Sequence, residues 1–193
     1  MQKRKYYLVN AITTYRLLAS PILVILVFTN HYDVFKWMLA ISFGTDAVDG
    51  FFARAWKVMS PLGSKLDSVA DDFTIIAATV GVFVIKHDFI MEQLFPISIM
   101  LVLFLFENAA SFIKYHHAST FHTYSAKVAA VFQGLFLILI FFVEKPIYWL
   151  FWASVVVTCV DLIEEIILVF LLPKSDQNVK GLYWVLKKLK KQG

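Results

Sequence analysis

Four carboxylates fall at two regular spacings in one short stretch, Asp46-xx-Asp49 and Asp67-xxx-Asp71. Steps of three and four residues each put both side chains on one face of a helix. A Ser60-Pro61 break separates the pairs, so two helices joined there can bring four acids to one point. Such a cluster suits attack on a pyrophosphate. That reaction builds negative charge on non-bridging oxygens, which hard divalent cations with carboxylate ligands neutralise. Without a cation the acids would repel one another. Gly50 and Gly63 remove side chains and leave the backbone open to close approach, and Ala53 is small. Arg54, five residues after Asp49, offers a bidentate fork for phosphate.

The elements that must position these residues are apolar helices. The 193 residues are 60% hydrophobic and 17% charged, with a mean hydropathy of +0.71. A soluble domain is about half apolar and about a quarter charged. Apolar runs of spanning length recur, which predicts an all-α integral membrane protein with six transmembrane helices. The spans are read at residues 8–29, 34–54, 65–86, 92–113, 126–143 and 147–172 of one membrane domain, 1–193. No small-residue cleavage site follows the first run, which is therefore kept as the first helix. Lys3, Arg4 and Lys5 form a basic juxtamembrane segment before it. The tail ends in GLYWVLKKLKKQG, a basic amphipathic surface helix for anionic lipid with Trp184, Leu186 and Leu189 dipping in. A partly disordered solubilising tail is the duller alternative.

Charge asymmetry orients the spans. With the N-terminus in the cytoplasm, Lys57, Lys65, Lys114, Lys127, Lys174 and Lys180 join the basic N-terminal segment and tail on that side. The opposite side holds Lys36, Lys86 and Lys145. The bias predicts an inner, cytoplasmic-membrane protein with both termini and the four carboxylates at the cytoplasmic face, where soluble activated nucleotides are found.

Written out, the stretch is Asp46-xx-Asp49-Gly50-xx-Ala53-Arg54, a gap of eight residues, then Gly63-xxx-Asp67-xxx-Asp71. It resembles the signature of the CDP-alcohol phosphotransferases, also called CDP-alcohol phosphatidyltransferases, at every fixed position and in the gap. Asn10-xx-Thr13-xx-Arg16 followed by Pro21 is similar to that family's first-helix pattern, and the six-span layout extends the resemblance over essentially the whole chain. The resemblance implies that Asp46, Asp49, Asp67 and Asp71 bind a pair of magnesium or manganese ions. It implies that Asp71 is also the base for the acceptor hydroxyl, and that Gly50, Ala53, Arg54 and Gly63 surround the CDP moiety. Asn10, Thr13 and Arg16 are assigned to the same substrate, with an interhelical hydrogen-bond set as the alternative. The implied reaction belongs to phospholipid biosynthesis: an alcohol attacks the β-phosphorus of CDP-diacylglycerol, CMP leaves, and a phosphodiester lipid stays in the membrane. Glycerol 3-phosphate is the first-choice acceptor, ahead of inositol phosphate, serine or a second lipid. A homodimer using spans three and four is implied as well, with no nucleic-acid partner.

Other polar residues stay outside the signature. Asp72 points about 100° from Asp71 around a helix and is read as an interfacial group. Glu107, Asn108, Gln133, Asp161, Glu164 and Glu165 either line a polar cavity or knit helices together. Lys114 to Lys127, KYHHASTFHTYSAK, is the candidate acceptor segment. There Lys114 and Lys127 would meet an acceptor phosphate, and a plain cytoplasmic loop is the alternative. His116, His117 and His122 offer no helical His-xxx-His pair for zinc. Two other classes compete with the enzyme. A divalent-cation transporter would place its acids near the midplane, often with repeats, whereas these acids lie at one interface. A membrane scaffold gives no reason for the Gly-xxx-Asp-xxx-Asp spacing.

Overall fold

The computed structural model describes residues 2–56, 61–117, 121, 123–174 and 179–190. Lys57, Ser60 and His122 lie outside the described residues. Every regular element among the described residues is a helix. In chain order these are α1 (Gln2–Phe28), α2 (Tyr32–Trp56), α3 (Pro61–Ile85), α4 (His87–Glu92), α5 (Leu94–Tyr115), α6 (Tyr124–Leu139), α7 (Tyr148–Leu171) and α8 (Leu182–Leu189). Within α1, Ala11–Phe28 is long and apolar enough to cross a membrane, and so is α5. The shorter α6 is apolar as well. Leu101, Val102, Leu105, Phe112 and Ile113 of α5 are all exposed, a surface suited to lipid tails rather than water.

Chain chemistry sets the helix ends. Asn30 takes the left-handed conformation after α1, with φ 60°. His31 N donates to Leu26 O at 3.0 Å and Asn30 N to Val27 O at 3.3 Å, the paired closure of a Schellman motif. Pro61 opens α3, where a missing N–H costs nothing. His116 closes α5 with φ 62° and donates its N–H to Phe112 O. At the start of α2, Lys36 Nζ donates to Asp33 Oδ1 at 2.6 Å. That hydrogen bond, aided by the lysine charge, holds the Asp33 carboxyl below its ordinary value.

Several boundaries differ from the expected spans. The basic segment is helical, because α1 begins at Gln2. Helix α3 begins four residues before the expected span. The expected fifth span, 126–143, is shorter: α6 stops at Leu139 and the chain turns there, with Phe141 N bonded to Ile138 O and Phe142 N to Leu139 O. Apolar residues run straight through this turn, so composition does not mark it.

The chain forms two compact units. One comprises Met1–Ile90 with Leu137–Glu144, and the other Met91–Phe136 with Lys145–Gly193. In the first, α1 packs on α2 and α3 around Leu23, Val27, Phe35, Leu39, Ala77 and Ala78. Phe141 meets Phe35 edge-on at 4.9 Å. Both rings crowd Gly81, where a Cβ would stand 2.5 Å from Phe35 Cζ. In the second unit α5 packs on α7. Lys114 Nζ donates to Val169 O and Phe170 O at 2.8 and 3.1 Å. Tyr115 Oη donates to Val169 O and Leu172 O at 3.1 and 2.9 Å. These bonds satisfy carbonyls at the end of α7, where a helix lacks partners of its own.

Candidate functional site

In the first unit, three helices bring their polar residues to one place. Asp46 sits toward the end of α2, and Asp67 and Asp71 lie one turn apart at the start of α3. Each of the three is half-buried, and each offers a carboxylate oxygen within 4.8 Å of those of the other two. Helix α1 supplies the cation between them. Arg16 Nη1 donates to Asp46 Oδ1 and lies 2.8 Å from Asp71 Oδ1, while Nη2 donates to Asp67 Oδ1 at 2.5 Å. The Arg16 side chain is 1% exposed. Arginine suits this position because its planar fork presents several donors at once. Among the described residues, three carboxylates face one guanidinium and negative charge remains in excess.

A second layer fixes the approach of α1 to α3. Ser20 Oγ donates to Arg16 O at 2.8 Å and lies 3.4 Å from Thr74 Oγ1. Thr74 Oγ1 in turn donates to Ala70 O at 2.8 Å. Sequence reasoning assigned no role to Ser20 or Thr74. The available signal was their position, one turn beyond Arg16 and nearly one turn beyond Asp71, as buried hydroxyls in apolar runs. Thr13 is buried one turn before Arg16, and Gly63 lies on α3 one turn before Asp67. Asn10 lies on α1, and Asp49, Gly50, Ala53 and Arg54 lie on α2, but their side chains fall outside the described residues. Asp72 is exposed and stands apart from the triad.

The donor set suits a hard divalent cation. All its atoms are carboxylate oxygens, the ligands magnesium and manganese prefer. Metal–oxygen distances of about 2.0–2.6 Å put ligands of one ion up to roughly 4–5 Å apart, which the 4.8 Å spread matches. The same place already attracts a protein cation, Arg16.

The expected acceptor lysines belong to the second unit. Lys114 is engaged by the α7 carbonyls. Lys127 is exposed on the first turn of α6, with its ammonium 5.4 Å from the Tyr124 ring. His116 and His117 are exposed, and His117 stacks beside Tyr115 at 6.0 Å.

For the remaining polar residues of this unit both sequence alternatives hold. A cavity of 490 Å³ is lined by Glu107, Asn108, Gln133, Thr158, Asp161 and Glu165 together with apolar residues of α5 and α7. Helix-knitting bonds run beside it. Gln133 Nε2 donates to Thr158 Oγ1 at 2.6 Å, and Thr123 Oγ1 to Asp161 Oδ1 at 3.2 Å. Glu164 accepts from Ser125 Oγ, and from Leu182 N at 2.6 Å. The last bond ties α8 to α7.

A family model described as CDP-alcohol phosphatidyltransferase matches residues 6–160. The chain is 33% identical over 75 residues to a CDP-diacylglycerol--glycerol-3-phosphate 3-phosphatidyltransferase from Cereibacter sphaeroides, an overlap covering 37% of this chain and 34% of that protein. The chain thus spans about a third of the length of that relative. No solved structure matches it.

Proposed function

Because the chain belongs to the CDP-alcohol phosphatidyltransferase family, matched over residues 6–160, we propose that it transfers a phosphatidyl group from CDP-diacylglycerol to a small alcohol and releases CMP. The observation that carries this reading is the convergence of Asp46, Asp67 and Asp71 within 4.8 Å, at the family's own spacing. Glycerol 3-phosphate is the proposed acceptor, supported by the name of the Cereibacter relative.

In this reading Asp46, Asp49, Asp67 and Asp71 hold magnesium or manganese. When bound, the metal neutralises charge on the pyrophosphate oxygens. Asp71 takes the proton from the acceptor hydroxyl. The acceptor oxygen forms a bond to the β-phosphorus, the bond from that phosphorus to the CMP oxygen breaks, and CMP carries away the electron pair. Gly50, Ala53, Arg54 and Gly63 surround the CDP group, with Asn10, Thr13 and Arg16 as further residues for the same substrate. Lys127 is the better acceptor residue of the two lysines, since Lys114 already serves the α7 carbonyls.

Helices α1, α2, α3, α5, α6 and α7 are the six spans, with termini and site at the cytoplasmic face, and α8 lies on anionic lipid. The enzyme works as a homodimer in the membrane. A CMP-release assay with magnesium and CDP-diacylglycerol, screened across glycerol 3-phosphate, inositol phosphate and serine, tests the reading. Release with glycerol 3-phosphate supports it; no release with any acceptor sinks it.

A further inference from the structure

We propose that Arg16 is a built-in counter-cation that exchanges with a divalent ion at the Asp46, Asp67 and Asp71 oxygens. The inference rests on the metal reading of the site given above. Its basis is space. Arg16 Nη1 bonds Asp46 and reaches Asp71, and Nη2 bonds Asp67, so the guanidinium lies among all three acids. Each of the three acids offers an oxygen within 4.8 Å of the others, the spread of ligands around one ion, and the guanidinium already sits against the same three carboxylates. An ion held by all three carboxylates takes the place of the guanidinium.

The exchange does two things. Before the metal arrives, Arg16 holds together carboxylates from α2 and α3 that would otherwise repel. Its backbone is pinned meanwhile, because Ser20 Oγ donates to Arg16 O and Ser20 approaches Thr74 on α3. After the metal arrives, a freed guanidinium on a long stem stays beside the site. There the donor's pyrophosphate offers it new anionic oxygens in bidentate geometry. Arg16 is in this sense a positioning residue, and the site is never left with bare acids.

The competing arrangement keeps the guanidinium in place while the ion uses the remaining carboxylate oxygens. The two make opposite predictions for Arg16→Gln. Under exchange, the variant loses a competitor, so Mn2+ binds tighter by roughly tenfold, a common size for coupling between two ligands. If Arg16 instead supports the bound ion, Mn2+ binds more weakly.

The experiment titrates Mn2+ into the full-length chain in lipid nanodiscs, following the free ion by electron paramagnetic resonance, and pairs this with thermal melts in chelator. Exchange predicts that a given Mn2+ concentration raises the melting temperature of the wild type over its value in EDTA by less than it raises that of Arg16→Gln. Arg16→Gln should melt lower in EDTA and recover with Mn2+, which also allows it to be prepared folded. Arg16→Lys keeps the charge but not the fork and should show intermediate affinity. Equal or weaker Mn2+ binding by Arg16→Gln overturns the exchange while leaving the metal site standing. Absence of Mn2+ binding in wild type and variants alike overturns the metal reading as well.

Discussion

The Arg16 guanidinium on α1 lies 2.8 Å from Asp71 on α3, and the nitrogen that makes this contact also donates to Asp46 on α2. The candidate base for the acceptor hydroxyl is therefore held by a residue of a different helix. Removing the carboxylate charge in Asp71→Asn keeps the shape of the side chain. CMP release should fall by about 10²–10⁴-fold, the range for loss of a general base, while circular dichroism shows the helical fold retained. Turnover equal to wild type would exclude Asp71 as the base.

Chelation should abolish CMP release and added magnesium or manganese should restore it, since the triad contains only hard oxygen donors. Calcium, which accepts longer and more numerous oxygen contacts, should bind and fail to support turnover. Full activity in EDTA would remove the metal from the reaction.

The two lysines of the acceptor segment should separate in their effects. Lys114→Met leaves the Phe170 carbonyl without its side-chain donor and the Val169 carbonyl with Tyr115 Oη alone. It should cost about 1 kcal/mol of stability, the net worth of a hydrogen bond at a partly exposed site, with little change in acceptor KM. Lys127→Met should raise the KM for glycerol 3-phosphate and leave the melting temperature nearly unmoved. A reversed pattern would assign the acceptor phosphate to Lys114.

Gly81 tests the packing that supports the site. A Cβ there meets Phe35 Cζ at 2.5 Å and Phe141 Cζ at 3.1 Å, and Phe35 is fully buried. Overpacking costs about 1–3 kcal/mol, against about 1 kcal/mol gained in helix propensity. Gly81→Ala should lose on the order of 1 kcal/mol, and Gly81→Val more. Thermal melts in nanodiscs measure both, and an unchanged Gly81→Val would show that the rings yield freely.

The attachment of α8 should depend on Glu164, which accepts the Leu182 N–H at 2.6 Å. Gly181 allows this approach with φ +147°, and a side chain there would press within 3.0 Å of Glu164 Oε1. In Glu164→Ala, hydrogen exchange at Leu182 should quicken by about tenfold or more, as for loss of a bond to a charged acceptor. Unchanged exchange would mean that the Leu182 and Val185 contacts with Leu168 and Val169 hold the tail by themselves.

Much of the site was legible in the sequence because its geometry is local. The four-residue step from Asp67 to Asp71 puts both on one face of α3 wherever that helix lies. For Arg16 the sequence offers two alternatives, the substrate or an interhelical hydrogen-bond set, and its bonds to Asp46 and Asp67 are of the second kind. Nothing in α1 alone discloses how that helix is rotated against α2 and α3, so the partners themselves are not legible. Other long-range contacts, such as Ser20 with Thr74 and Phe35 with Phe141, share this limit. The end of α6 was missed for a different reason. Its stop at Leu139 lies inside an unbroken apolar run, and Leu137 and Phe141 belong instead to the packing around Phe35.

That return of the chain has a consequence for biosynthesis. The unit that carries Arg16 and the three aspartates takes its last piece, Leu137–Glu144, from beyond α5 and most of α6. A ribosome that has delivered α1, α2 and α3 to the membrane has therefore supplied the chemistry but not Phe141, whose ring covers Phe35 and Gly81. The closing contact with Phe141 waits for the synthesis of α4, α5 and most of α6, a long-range closure of the slow kind. Chaperone or insertase contact is most valuable in that interval, and a chain arrested just before Leu137 should be far more open to protease than one arrested just after Glu144.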